Sequence, residues 1–154
     1  MAHYIFNFSD GDRDRAVALL RTKMWGVKSR ERHSRELALG DLLLLYAARD
    51  RTFIGRAEVA TPVHDWTPSE AEAYPGDTPG GVVLSRVEEW DPAVSMDAVA
   101  QRIDPTASNP LVQANAADGF GMDVVRITGA EYEAALALYG EARATQSARR
   151  YLAP

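Results

Sequence analysis

Residues 42–48 read LLLLYAA, an unbroken apolar run set between the turn Gly40-Asp41 and the polar stretch Arg49-Asp50-Arg51-Thr52. Successive side chains of a strand point to opposite faces, so a strand of this composition needs cover on both sides. Arg49 to Thr52 then turns the chain into a second strand, Phe53 to Ala60, which makes the pair a hairpin. The sheet at the heart of this protein is therefore expected to be sandwiched between other elements rather than open to water on one side.

The rest of the chain supplies those elements. His3 to Phe8, Val82 to Trp90 and Met122 to Ile127 read as strands, with Trp90 as a core residue. Ser9 or Asp10 is placed to cap a first helix, on which Val17, Leu20 and Met24 form one apolar stripe and which Trp25-Gly26 ends. Residues 27–36 read as a polar loop. Ser95 caps a short helix carrying Met96, Val99, Ala100 and Ile103. Thr128-Gly-Ala-Glu131 is a capping box that opens a last helix, with Tyr132, Ala135, Leu136 and Tyr139 on its core face. Residues 61–81 hold four prolines and three glycines and read as a long irregular loop, of the kind that is often functional. Residues 104–121 also look irregular. The expected class is α+β: a mixed sheet of about five or six strands curled toward a barrel, with helices packed outside. Strict βαβ alternation is missing, which argues against a doubly wound sheet. One domain over residues 3–140 is expected, followed by a polar, fraying tail at 141–154.

At 154 residues, 46% apolar and 25% charged, the chain has the balance of a soluble globular domain. It shows no apolar run of bilayer length and no signal-peptide pattern, so no membrane partner is expected and the chain reads as cytoplasmic. Cysteine is absent, which removes disulfides, thiol nucleophiles and zinc–thiolate sites. None of the three histidines (His3, His33, His64) stands at metal-ligand spacing from another, so no metal is expected. Asp10, Asp12 and Asp14 begin like a calcium loop, but Arg15 and Arg21 stand where that loop needs glycine and glutamate. There is no phosphate-binding glycine loop, no serine motif beside His64-Asp65, and no catalytic constellation. No cofactor is expected either.

The charge is unevenly spread. The net formal charge is −5, yet eight of the 17 basic residues fall between Arg13 and Arg35, so that segment carries +6 and the remainder about −11. Most of these cations are arginines, whose planar fork suits phosphate. A solvated helix face with its loop is one reading of the segment, and a phosphate-binding surface is the other.

The order of pieces is informative: strand HYIFNF, a helix, MWGVKSRERH, then LALGDLLLLYAA, RTFIGRAEVA and finally VVRITGAEYEAALALYG. This series resembles the EVE domain family of the PUA-like superfamily, related to the YTH and ASCH domains. The likeness is clear over residues 3–60 and again in the last strand and helix, and loose over 61–120. It implies a PUA-like barrel with a pocket for a nucleobase. YTH domains hold a methylated adenine of RNA in an aromatic cage, and EVE domains take modified cytosines or related bases of DNA, or modified bases of RNA. The partner so implied is nucleic acid carrying a modified base.

The resemblance assigns roles to particular residues. Trp25 would stack on an extruded base, and Gly26 would let backbone approach it closely. Asn7 and Ser9, where the YTH relatives carry Ser and Asn, would read the base edge. Trp66 and Tyr46 are further pocket candidates, and Asp118 is an acidic loop residue near the base. Lys28, Arg30, Arg32 and Arg35 would meet the flanking phosphates. Each has a plainer alternative: a core tryptophan closing the first helix for Trp25, a strand-end hydrogen bond for Asn7, a helix cap for Ser9, a loop anchor for Trp66, a core tyrosine for Tyr46, a turn for Asp118. Two other functions stay open. One is an ASCH-like hydrolase of a modified nucleoside, which needs a lysine (Lys23 or Lys28), a carboxylate and a threonine in one pocket. The other is a protein-interaction module in which Trp25 and Trp66 form an apolar surface patch.

Overall fold

The computed structural model describes residues 1–28, 33–103, 109–116 and 123–152. Among the described residues there are seven strands: β1 His3–Phe8, β2 Met24–Gly26, β3 Leu42–Ala47, β4 Thr52–Val59, β5 His64–Asp65, β6 Gly80–Ser95 and β7 Val124–Ile127. They form one sheet in the order β2-β6-β4-β3-β1-β7, with β5 also paired to β6. The pairing of β1 with β3 is parallel and the other pairings are antiparallel, so the sheet is mixed. Register shifts between Phe53 and Gly55 and between Arg56 and Glu58 bend β4 against β6. Such bulges increase local twist, and the sheet curls into a half-barrel with helices packed outside, an α+β arrangement.

The two faces of the sheet bury different side chains. Along β1, Tyr4 and Phe6 enter one cluster and Ile5 the other; along β3, Leu43, Leu45 and Ala47 face one way and Leu44 and Tyr46 the other. This alternation is why residues 42–48 are apolar throughout. Helix α1, Arg13–Arg21, covers the first face through Ala16, Leu19 and Leu20. Helices α3, Met96–Gln101, α4, Pro110–Ala116, and α5, Gly129–Leu152, cover the second. Trp90 is 1% exposed and stacks on Tyr139 of α5, with ring centroids 4.6 Å apart.

Local chemistry sets most helix starts. Ser95 accepts from Ala98 N at 3.3 Å. Thr128 and Glu131 cap each other's backbone, and the fully buried Glu131 also accepts from Leu111 N of α4 at 2.6 Å. One carboxylate thus answers orphan N–H groups at two helix starts. Helix α1 differs from expectation: its cap is Asp12, which accepts from Arg15 N at 3.0 Å, rather than Ser9 or Asp10.

Other segments also depart from the sequence reading. The first helix ends at Arg21, and Met24-Trp25-Gly26 is a strand because Gly26 and Trp25 pair with Gly81 and Val82 of β6. Lys23 takes a left-handed φ of 60° between them, which turns the chain sharply enough to allow it. Residues 61–81 contain β5 and a short helix, α2 Pro68–Ala73, whose Thr67 and Glu70 form a second capping box. Residues 141–152, assigned to a fraying tail by their polarity, continue α5 as helix. No helix among the described residues is long and apolar enough to cross a membrane.

Candidate functional site

The end of β1, the turn into α1 and strand β2 leave a cavity of about 530 Å³ between them. Its near side is built by Asn7, Phe8, Ser9, Trp25 and Gly26, its far side by residues 74–79, and Asp123, which directly precedes β7, also lines it. Asn7 is placed there by backbone pairing: its N–H donates to the carbonyl of Asp123 at 2.8 Å. Trp25 is only 5% exposed and packs against Phe6 and Phe8, at centroid distances of 6.0 and 6.1 Å. It is a core residue whose remaining surface borders the cavity.

The far side is held by a chain of contacts that begins at a histidine. His64 Nδ1 donates to the Pro62 carbonyl at 2.9 Å, and its Nε2 lies 2.9 Å from Glu70 Oε1. Glu70 also accepts from Thr67 N at 2.9 Å, which fixes α2. Trp66, next to β5, donates its Nε1–H to the Thr78 carbonyl at 2.9 Å and lies 5.0 Å from the Tyr74 ring. The Tyr74 hydroxyl in turn accepts from Gly26 N at 3.1 Å. Glycine at 26 leaves room for these side chains: a Cβ would stand 1.9 Å from Thr78 Oγ1 and 2.4 Å from the Tyr74 hydroxyl, so both would have to shift.

Both ring nitrogens of His64 face acceptors. The Pro62 carbonyl, with the Glu70 carboxylate behind it, raises the pKa of His64 above its ordinary value against the opposing effect of partial burial. The Thr67 N–H, followed by His64, holds the Glu70 carboxyl below the usual carboxylate value. A raised folded-state pKa stabilises the protonated form. The contribution of His64 is therefore complete below its unfolded pKa of about 6.5 and is lost as pH rises through the higher folded value. Amide hydrogen exchange of residues 66–79 is expected to be slowest, after correction for intrinsic rates, at pH values below that value at which Glu70 is still ionised, and to quicken as pH rises above it. His64→Gln should flatten the profile. A wild-type profile already flat across this window would show that the ion pair does not hold the wall.

Four expected pocket residues, Asn7, Ser9, Trp25 and Gly26, meet at this cavity, and so does Lys28. Others do not. Tyr46 is 1% exposed and packs on Phe53 in the cluster beneath the opposite face, because β3 alternates and Tyr46 falls on the other side from Leu45. Trp66 stands behind the wall as a loop anchor and does not line the cavity. Arg35 is exposed on the 3-10 turn Ser34–Glu36 and is not among the lining residues. Arg30, Arg32 and Asp118 lie outside the described residues. Nor do Trp25 and Trp66 make an apolar surface patch: one is buried and the other is partly buried against Tyr74.

The cavity also gathers residues that sequence reasoning did not assign to it. Arg15 comes from α1; Asp10, Asp77 and Asp123 bring three carboxylates; Tyr74 and Thr78 come from the segment before β6. The prolines and glycines of 61–81 signalled a special loop, but no local signal tied Asp123 to Asn7. The lining is thus mixed in charge, with apolar surface from Phe8, Leu19, Trp25 and Pro75.

No family model matches the chain, and no curated protein matches its sequence. Solved structures do match its fold. The DUF55 domain of human thymocyte nuclear protein 1 superposes with a TM-score of 0.58 at 15% identity, over 90% of this chain and 99% of that one. The same human protein in complex with 5-methylcytosine-containing DNA gives 0.61 at 14% identity, over 90% and 98%. A YTH domain in complex with RNA gives 0.59 at 15% identity, over 94% and 82%. The chain thus shares the fold of these DUF55 and YTH domains.

Proposed function

We propose that this domain reads a modified base in nucleic acid, seating one extruded base in the cavity bordered by Trp25 while cations at the rim meet the flanking phosphates. The observation that carries this reading is the meeting of Trp25, Gly26, Asn7, Ser9 and Lys28 around one cavity, in a fold shared with a protein bound to 5-methylcytosine DNA and with a YTH domain bound to RNA. Extruding a base costs a few kcal/mol, and stacking returns about 1–3 kcal/mol. The phosphates must then supply the net affinity. Arg15 and Lys28 are the two cations of the cavity lining among the described residues. Arg30, Arg32 and Arg35 are assigned the same task on the basic segment that follows. A methyl group on the base would meet the apolar lining and add about 0.8 kcal/mol, roughly a fourfold preference.

The test is a salt titration of affinity on paired modified and unmodified oligonucleotides. Arg15→Gln and Lys28→Gln should each weaken both oligonucleotides alike. Each should reduce the slope of log affinity against log salt by about 0.9 on duplex or 0.7 on single strands. Binding that ignores salt, or that is equal for every base, would defeat the reading.

A second reading is favoured by one observation: Lys28, Thr78 and three carboxylates line the same cavity. That is the set a hydrolase of modified nucleosides needs. Turnover of acetylated or alkylated nucleosides, abolished by Lys28→Ala, would establish it.

A further inference from the structure

Thr78 carries a polar atom that the fold leaves unanswered. Its Oγ1 is buried and has no hydrogen-bond partner among the described residues. Buried hydroxyls are nearly always hydrogen-bonded, and an exception calls for an explanation such as a ligand. Thr78 lines the cavity, and its main chain is fixed by the indole of Trp66 at 2.9 Å. Its hydroxyl sits directly over Gly26, the residue after Trp25, where a Cβ would come within 1.9 Å of it. The unanswered group therefore stands beside the aromatic wall.

We propose that Thr78 is a specificity-determining residue of this cavity, its hydroxyl donating a hydrogen bond to a ring nitrogen or carbonyl oxygen of the base that borders Trp25. The proposal rests on the base-reading function set out above. The neutral side-chain donors of the lining are Asn7, Ser9, Tyr74 and Thr78, and the Tyr74 hydroxyl is already bonded to Gly26 N. Asp10, Asp77 and Asp123 only accept hydrogen bonds when ionised, and Arg15 and Lys28 are exposed charged groups suited to phosphate. An acceptor on the base needs a neutral donor close to the stacking surface, and a hydroxyl can supply one. Oγ1 is shielded in this conformation, so the contact requires rotation about χ1 to another staggered well.

Thr52 provides an internal control. Its Oγ1 is also buried without a partner among the described residues, yet Thr52 begins β4 and does not line the cavity. Valine keeps the shape of threonine and removes the hydroxyl. Replacing a buried, unanswered hydroxyl by a methyl should leave stability unchanged or raise it. Both Thr52→Val and Thr78→Val are thus expected to keep or increase the urea midpoint. Only Thr78→Val should weaken the oligonucleotide that wild type prefers, by about two- to tenfold with the salt slope unchanged, and Thr78→Ser should recover most of the affinity. Unaltered binding by Thr78→Val, or a fall in its midpoint that accounts for the weaker binding, would overturn the proposal alone. Wild-type protein that binds no member of the oligonucleotide panel would overturn the base-reading function, and this proposal with it.

Discussion

Trp25→Ala is expected to lose about 3–5 kcal/mol of folding stability, the usual cost of truncating a large buried aromatic. The side chain is 5% exposed and wedged between Phe6 and Phe8, so it closes the core beneath α1 as well as bordering the cavity. Alanine alone cannot separate the two roles, because a loss of binding would follow from unfolding. Trp25→Phe and Trp25→Leu can. Both keep most of the buried apolar volume, at a cost well below that of alanine. Phenylalanine also keeps a π-face. If Trp25 stacks on a base, Trp25→Leu should bind the preferred oligonucleotide about tenfold more weakly than Trp25→Phe, within the 1–3 kcal/mol assigned to such a stack. The gap between modified and unmodified bases should narrow, and the salt slope should stay as in wild type. Urea denaturation fixes the folded fraction for each variant before affinities are compared. Equal affinities for the phenylalanine and leucine variants, both folded, would leave Trp25 as a core residue only.

Gly81→Ala is expected to cost about 3 kcal/mol and to disable the site at the same time. Gly81 pairs with Gly26 across β6 and β2. A Cβ there would stand 2.1 Å from the Trp25 carbonyl, 2.8 Å from Gly26 Cα and 2.8 Å from the Trp66 ring. Two of these three neighbours are backbone, which cannot yield by rotating a side chain. The strand that carries Trp25 and Gly26 must therefore move away from β6, losing pairing as well as packing. Gly140→Ala is the matched control. Gly140 is an exposed residue inside α5 with no atom within 4 Å of an added Cβ, so alanine should stabilise by about 0.5–1 kcal/mol. Thermal or urea midpoints of the two variants should shift in opposite directions. A Gly81→Ala protein as stable as wild type would mean that β2 is not held against β6 as described.

What the sequence determined by itself was whatever depends on neighbours a few residues away. The apolar run at 42–48 demanded a strand covered on both faces, and β3 is one. Ser95 and the pair Thr128–Glu131 announced helix starts because a cap and its N–H group are three residues apart. Five of the strands, the burial of Trp90 and the curled α+β class followed from such local patterns taken in order. The tertiary structure alone decided the rest, because the deciding partner lies far along the chain. Trp25-Gly26 looked like the end of a helix, but Gly81 lets it lie as a strand paired to β6. The wall opposite Trp25 depends on a ring of contacts from His64 through Trp66 and Tyr74 back to Gly26, each link weak as a sequence signal. Tyr46 faces away from the cavity through the parity of a single strand position. Asp123 reaches the cavity through one backbone hydrogen bond to Asn7, and Arg15 through the turn of α1 that Asp12 caps. Periodicity and capping are short-range and legible in a sequence, whereas a cavity is the space left between elements once they have packed.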